Sequence, residues 1–166
     1  LVKHKLQCST TWKVKQAMSK LRTSFGDDHP EAAHKHLLDA QTLLGQQRAD
    51  GAAYLSGYVV ECALKSLWLH ETGAPTGNAM PWDRKGHDLN HLATQVTALA
   101  TVAGAKTARY FKTATSGVSS SAIAAWKPEM RYRPATMTSG DAQVWCQIAD
   151  GVYQETVAQM RLDGVL

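Results

Sequence analysis

Apolar positions recur at three- and four-residue intervals along almost the whole chain, the period of a helix, and strand-like alternation over five or more residues is hard to find. Residues 11–25 place Val14, Ala17, Met18, Leu21 and Phe25 on one face and predict an amphipathic N-terminal helix. Asp27-Asp28-His29-Pro30-Glu31 reads as a stop and a restart. Asp28 can cap the new helix, Pro30 suits its first turn, and Glu31 stands three residues after Asp28, as a capping box requires. This helix is predicted to run to about Gln47, with Ala33, His36 or Leu37, Ala40 and Leu43 or Leu44 inward.

Residues 49–72 are the most apolar stretch and predict a central helix, ended by Gly73 and Pro75. Residues 73–86 read as a loop, and His87-Asp88 opens a shorter helix to about Leu99. The pattern from Thr101 to Gly117 is weaker but still helical, and Thr115-Ser116-Gly117 with Ser119-Ser120-Ser121 predicts a flexible connection. Two prolines keep Trp126–Pro134 out of regular helix. Ser139 or Asp141 starts the last helix, with Val144 or Trp145, Ile148, Val152 and Met160 inward. The expected fold is all-α: an up-and-down helical bundle over residues 27–166, preceded by a basic helical extension over residues 1–26. An elaborated loop separates its third and last core helices.

Composition narrows the class without changing the fold. A chain of 166 residues with 44% apolar and 19% charged residues suits one folded domain. No run approaches the ~20 apolar residues of a membrane span, and lysines interrupt the first 15 residues where a secretory segment would be apolar. The three cysteines, Cys8, Cys62 and Cys146, are far apart and form no CxxC pair, which excludes a zinc knuckle and suits a reducing cytoplasm. Cys62 sits in an apolar helical run and reads as a small buried hydrophobe. Charge is uneven: residues 1–26 hold six basic residues and no acid, and residues 104–133 hold six against one. Two basic segments on an otherwise acidic body point to a localised anionic partner, or to a solvated helix face with a basic loop.

The candidate chemistry gathers in three places. Tyr54, Tyr58, Glu61, Lys65 and Trp68 share one helix face. Glu61 and Lys65 read either as a structural pair, with a link to Arg131, or as part of a cleft where Lys65 and Arg131 meet phosphate and the tyrosines stack on bases. Arg131-Tyr132-Arg133 offers guanidinium forks for phosphate beside a stacking plane. In the alternative, Arg131 ties its loop to Glu61 or Asp88 while Trp126 and Tyr132 anchor by packing. His87 and His91 flank Asp88 at metal-ligand spacing, but no third ligand stands out, so no metal and no cofactor are expected. There is no Walker loop, GxSxG or HExxH.

Three segments together resemble the HEPN superfamily over about residues 30–160. Gly57-Tyr58-Val59-Val60-Glu61-Cys62-Ala63-Leu64-Lys65 is similar to the GYxxExxLK run of one branch's second helix, and His87-Asp88-Leu89-Asn90-His91-Leu92 to its HDLxxL opening of the third. Trp126-Lys127-Pro128-Glu129-Met130-Arg131-Tyr132 follows in the same order, ahead of the final helix. The resemblance implies a bundle that forms a homodimer, with roles in toxin–antitoxin or defence systems beside a nucleotidyltransferase-like partner. Many members are metal-independent ribonucleases marked by Arg, four to six residues, then His, near the start of the last core helix. Here the window after Arg131 and Arg133 holds Thr136, Met137, Thr138, Ser139 and Gly140 and no histidine. An RNA- or nucleotide-binding module, with Arg131, Tyr132, Arg133, Lys65, Glu61, Tyr58, His87 and Asp88 at its site, is therefore expected ahead of a catalyst. The alternatives are a ribonuclease with a non-standard site around Arg131, in which Tyr132, His87 or His91 replaces the usual histidine, and a purely structural dimerisation scaffold.

Overall fold

The computed structural model describes residues 18–73, 82 and 85–166. Over these residues the chain is an all-α helical bundle with no strand. Helix α1 (His29–Gly45) begins as its sequence requires: the Asp28 carboxylate accepts the Glu31 N–H and Pro30 fills the first turn. Three residues connect it to α2 (Ala49–Thr72), so the two lie side by side. Helix α2 is buried almost all round, from Ala52 through Leu69, because α1, α3 (Leu89–Ala100) and α5 (Ser139–Tyr153) each pack against it. Gly73 ends it at φ 84°, a left-handed conformation that glycine adopts without strain.

Asp88 caps α3 by accepting the His91 N–H, and Thr138 caps α5 by accepting the Asp141 N–H. Helix α5 continues through a π-helical turn, Gln154–Ala158, into α6 (Gln159–Leu162), which carries Val157 and Met160 into the core. The inward positions expected for this helix hold at Trp145, Val152 and Met160, with Ile148 half-buried, whereas Val144 is exposed.

Two expectations need correction. The described part of the basic extension, residues 18–26, forms turns, with Met18 and Phe25 exposed and only Leu21 of the expected apolar face buried. Asp28 accounts for this: it binds the Ser19 N–H and hydroxyl, which folds the segment back onto the start of α1. The remainder of that expected helix, residues 11–17, lies outside the described residues.

The Thr115-Ser116-Gly117 stretch is tied down by a carboxylate. Glu155 accepts the Ala114 and Thr115 N–H groups at 2.9 Å each and the Thr115 hydroxyl at 3.0 Å, holding α4 (Thr113–Ser116) on the last helix. The whole connection between α3 and α5 is a chain of short helical turns, with Tyr110, Val118, Ile123 and Trp126 as its buried anchors.

Candidate functional site

The site is built on the exposed end of the α2 face. Helical spacing stacks Tyr54 over Tyr58, whose hydroxyls are 3.1 Å apart, and Glu61 over Lys65, whose charged atoms are 2.7 Å apart. Trp126 reaches back to this face and donates its indole N–H to the Tyr54 carbonyl at 2.9 Å. Its ring lies against the backbone of Gly57, where a β-carbon would stand 2.1 Å from Cδ1, and edge-on to Tyr58 at 4.8 Å between centroids. Glycine at position 57 therefore leaves the space in which Trp126 sits.

Glu61 is the hub of the polar part. It is 3% exposed, and each carboxylate oxygen has its own partner: Lys65 Nζ on Oε1, and His87 Nδ1 on Oε2 at 2.8 Å. A carboxylate accepts, so His87 donates through Nδ1, and its Nε2 is left on the side of the ring away from Glu61. Lys65 is itself 5% exposed, and its ammonium also stands 4.8 Å from the centre of the Trp82 ring. Lys65 is thus spent inside the bundle, which corrects the reading in which it meets phosphate. The structural alternative for the Glu61–Lys65 pair holds, but its third member is His87 from 26 residues on, not Arg131.

Arg131 goes elsewhere. Its guanidinium carbon lies 4.7 Å from the centre of the Tyr132 ring. Hydrogen bonding to Tyr132 and then Tyr54 raises the guanidinium above its ordinary range. Neither Glu61 nor Asp88 pairs with Arg131, and among the described residues neither Arg131 nor Arg133 has an ion-pair partner. Tyr132 is 76% exposed, so it is no packing anchor, whereas Trp126 at 1% is one. Next to the strip is a groove of about 250 Å³ lined by Tyr54, Met130, Arg131, Arg133 and Asp50. The Asp50 carboxylate is already engaged by the N–H groups of Thr136 and Met137.

The other side of the Pro128–Tyr132 turn has its own groove, about 270 Å³, lined by Lys85, His87, Asp88, Asn90, Trp126, Lys127 and Glu129. The predicted residues thus fall into two neighbouring groups divided by the Tyr54, Tyr58 and Trp126 rings. Arg131, Tyr132 and Arg133 lie on one side, and His87 and Asp88, backed by Glu61, on the other. His91 points its backbone to the Asp88 cap and joins neither. Among the described residues no group of three His, Cys, Asp or Glu side chains could hold a metal ion.

The expectation missed two residues. Trp82, in a stretch read as loop, is 5% exposed and packs on Lys65, Trp68 and His29. The one hint in the sequence is a large aromatic among Pro, Gly and Asn. His29 meets the Trp82 ring edge at 5.1 Å. Burial first, and then the Lys65 charge, push its imidazole down to about 4. Burial also raises the Tyr58 hydroxyl, helped by its bond to Tyr54, so it remains a neutral phenol, and it raises the Cys62 thiol to about 12, which makes that cysteine an inert core residue.

Comparison with protein-family models, with curated proteins and with solved structures finds no match.

Proposed function

We propose that the chain is a HEPN-like module that binds RNA, or a nucleotide unit of it, through Arg131, Tyr132 and Arg133. In this reading it acts in the cytoplasm as a homodimer within a toxin–antitoxin or defence-type pair that includes a nucleotidyltransferase-like protein. The order of the three HEPN-like segments supports the family assignment, and their convergence adds to it: His87 bonds Glu61, and Trp126 seats on Gly57 and Tyr58.

The observation that carries the binding reading is the Arg131–Tyr132 pair. A cation free of carboxylate partners, stacked on a tyrosine that is 76% exposed and bordered by a groove, combines a phosphate ligand with a base-stacking plane. A structural arginine would instead be paired, as Arg109 is with Asp163.

The test is fluorescence anisotropy with a short single-stranded RNA at low salt. Removing the stacking ring in Tyr132→Ala weakens binding by about 1–3 kcal/mol, roughly 5- to 150-fold, and Arg131→Ala weakens it comparably. Unchanged affinity in both variants sinks the reading.

A further inference from the structure

The groove beside His87 differs in its chemistry from the Arg131 strip. A 3%-exposed carboxylate, itself pinned by a buried lysine, holds the imidazole by one nitrogen and leaves the other directed away from Glu61. The His87 side chain is 58% exposed and lines the groove, so Nε2 is the atom available to an occupant. Lys85 and Lys127, from two separate segments, line the same groove and have no ion-pair partner among the described residues. Asn90, on α3, brings its side-chain amide within 3.5 Å of the Ala124 carbonyl, and both residues line the groove.

Two lysine ammoniums and the Nε2–H of a protonated His87 ring would put three donors around one small space, matching the three terminal oxygens of a phosphate monoester, which carries roughly −1.5 to −2 charges at neutral pH against one for an internal phosphodiester. Two carboxylates share the lining. Asp88 caps α3 through one oxygen and Glu129 is exposed, and both charges oppose an anion. Successive residues of one turn line both grooves, Pro128 and Glu129 the one and Met130 and Arg131 the other, so the grooves are neighbours.

We propose that the His87 groove takes the terminal phosphate of an RNA strand whose body lies on the Arg131 strip, with Lys85, Lys127 and His87 Nε2 as its ligands and Glu61 as the positioning residue. This rests on the RNA-binding reading above. The shared chemistry is a phosphomonoester, whether at the 5′ or the 3′ end.

The experiment compares one short RNA sequence in three forms, with a 5′-phosphate, with a 3′-phosphate, and with hydroxyls at both ends, against the full chain. One phosphorylated form is expected to bind about tenfold tighter than the hydroxyl form. That advantage disappears in His87→Ala and in Lys127→Ala, while the hydroxyl form binds these variants as it binds the unaltered protein to within about twofold. Glu129→Gln increases the advantage. Equal affinity for all three forms, or an advantage that survives both His87→Ala and Lys127→Ala, overturns the proposal and leaves the Arg131 strip standing. No binding of any form overturns both.

Discussion

A β-carbon at Gly57 would stand 2.1 Å from Trp126 Cδ1 and 2.2 Å from Cγ and Nε1, so Gly57→Ala cannot be accommodated with the indole in place. The clash meets the rigid middle of a ring that is 1% exposed, not the end of a flexible side chain. If the displaced ring returns about 100 Å² of apolar surface to water, the loss is about 2.5 kcal/mol. Losing the 2.9 Å bond from Nε1 to the Tyr54 carbonyl adds about 1 kcal/mol. Alanine's better helix propensity offsets about 1 kcal/mol, which leaves a net destabilisation of about 2.5 kcal/mol. Urea unfolding followed by circular dichroism measures it, with Gly45→Ala, where a β-carbon meets nothing within 4 Å, as the clash-free helical control. The decisive companion is Gly57→Ala in a Trp126→Ala background, where the clash is gone and the added methyl should be neutral or slightly stabilising. A cost below about 0.5 kcal/mol in the single variant, or an equal cost in both backgrounds, would show that Trp126 does not sit where the account needs it.

Other consequences follow from the buried charges. Glu61→Ala strands the Lys65 ammonium in the bundle and should cost about 3–5 kcal/mol by urea unfolding; a cost under 1 kcal/mol would mean that Lys65 escapes to solvent. His29 is held at about 4 in the folded chain against 6.5 ordinarily, so between these values the unfolded chain takes up a proton that the native state refuses. Its contribution is fully present above pH 6.5 and is lost as pH falls towards 4, up to about 3 kcal/mol, and His29→Gln should flatten that slope; parallel pH–stability curves would refute it. Glu155→Ala removes the acceptor for two backbone N–H groups and a hydroxyl in α4, and amide exchange should speed up at Ala114 and Thr115 while α2 remains protected.

How much of this was legible in the sequence depended on whether a signal was local. The start of α1 was readable because a cap, a proline and an acid fall within four residues, and the bounds of α2 because its apolar run is long and ends on Gly73. The face joining Tyr54, Tyr58, Glu61 and Lys65 followed from helical spacing alone. Partners across the chain did not. Charge pairing suggested Arg131 for Glu61, but residues from the α3 side deliver His87 first, and the Pro128–Tyr132 turn directs Arg131 to Tyr54 and Tyr132. The amphipathic spacing of Met18, Leu21 and Phe25 was overridden by Asp28, whose bonds to Ser19 close a turn. The π-helical turn in the last helix has no pattern of its own, since it only shifts the register of inward residues after Tyr153.

The central claim is that Arg131, Tyr132 and Arg133 form a phosphate- and base-binding strip, and the most direct test is the salt dependence of RNA affinity. If Arg131 and Arg133 each meet one phosphate of a single strand, log K should fall with log salt at a slope of about −1.4, with Arg131→Ala and Arg133→Ala each making it shallower by about 0.7. A slope near zero, or one that neither variant alters, would contradict it.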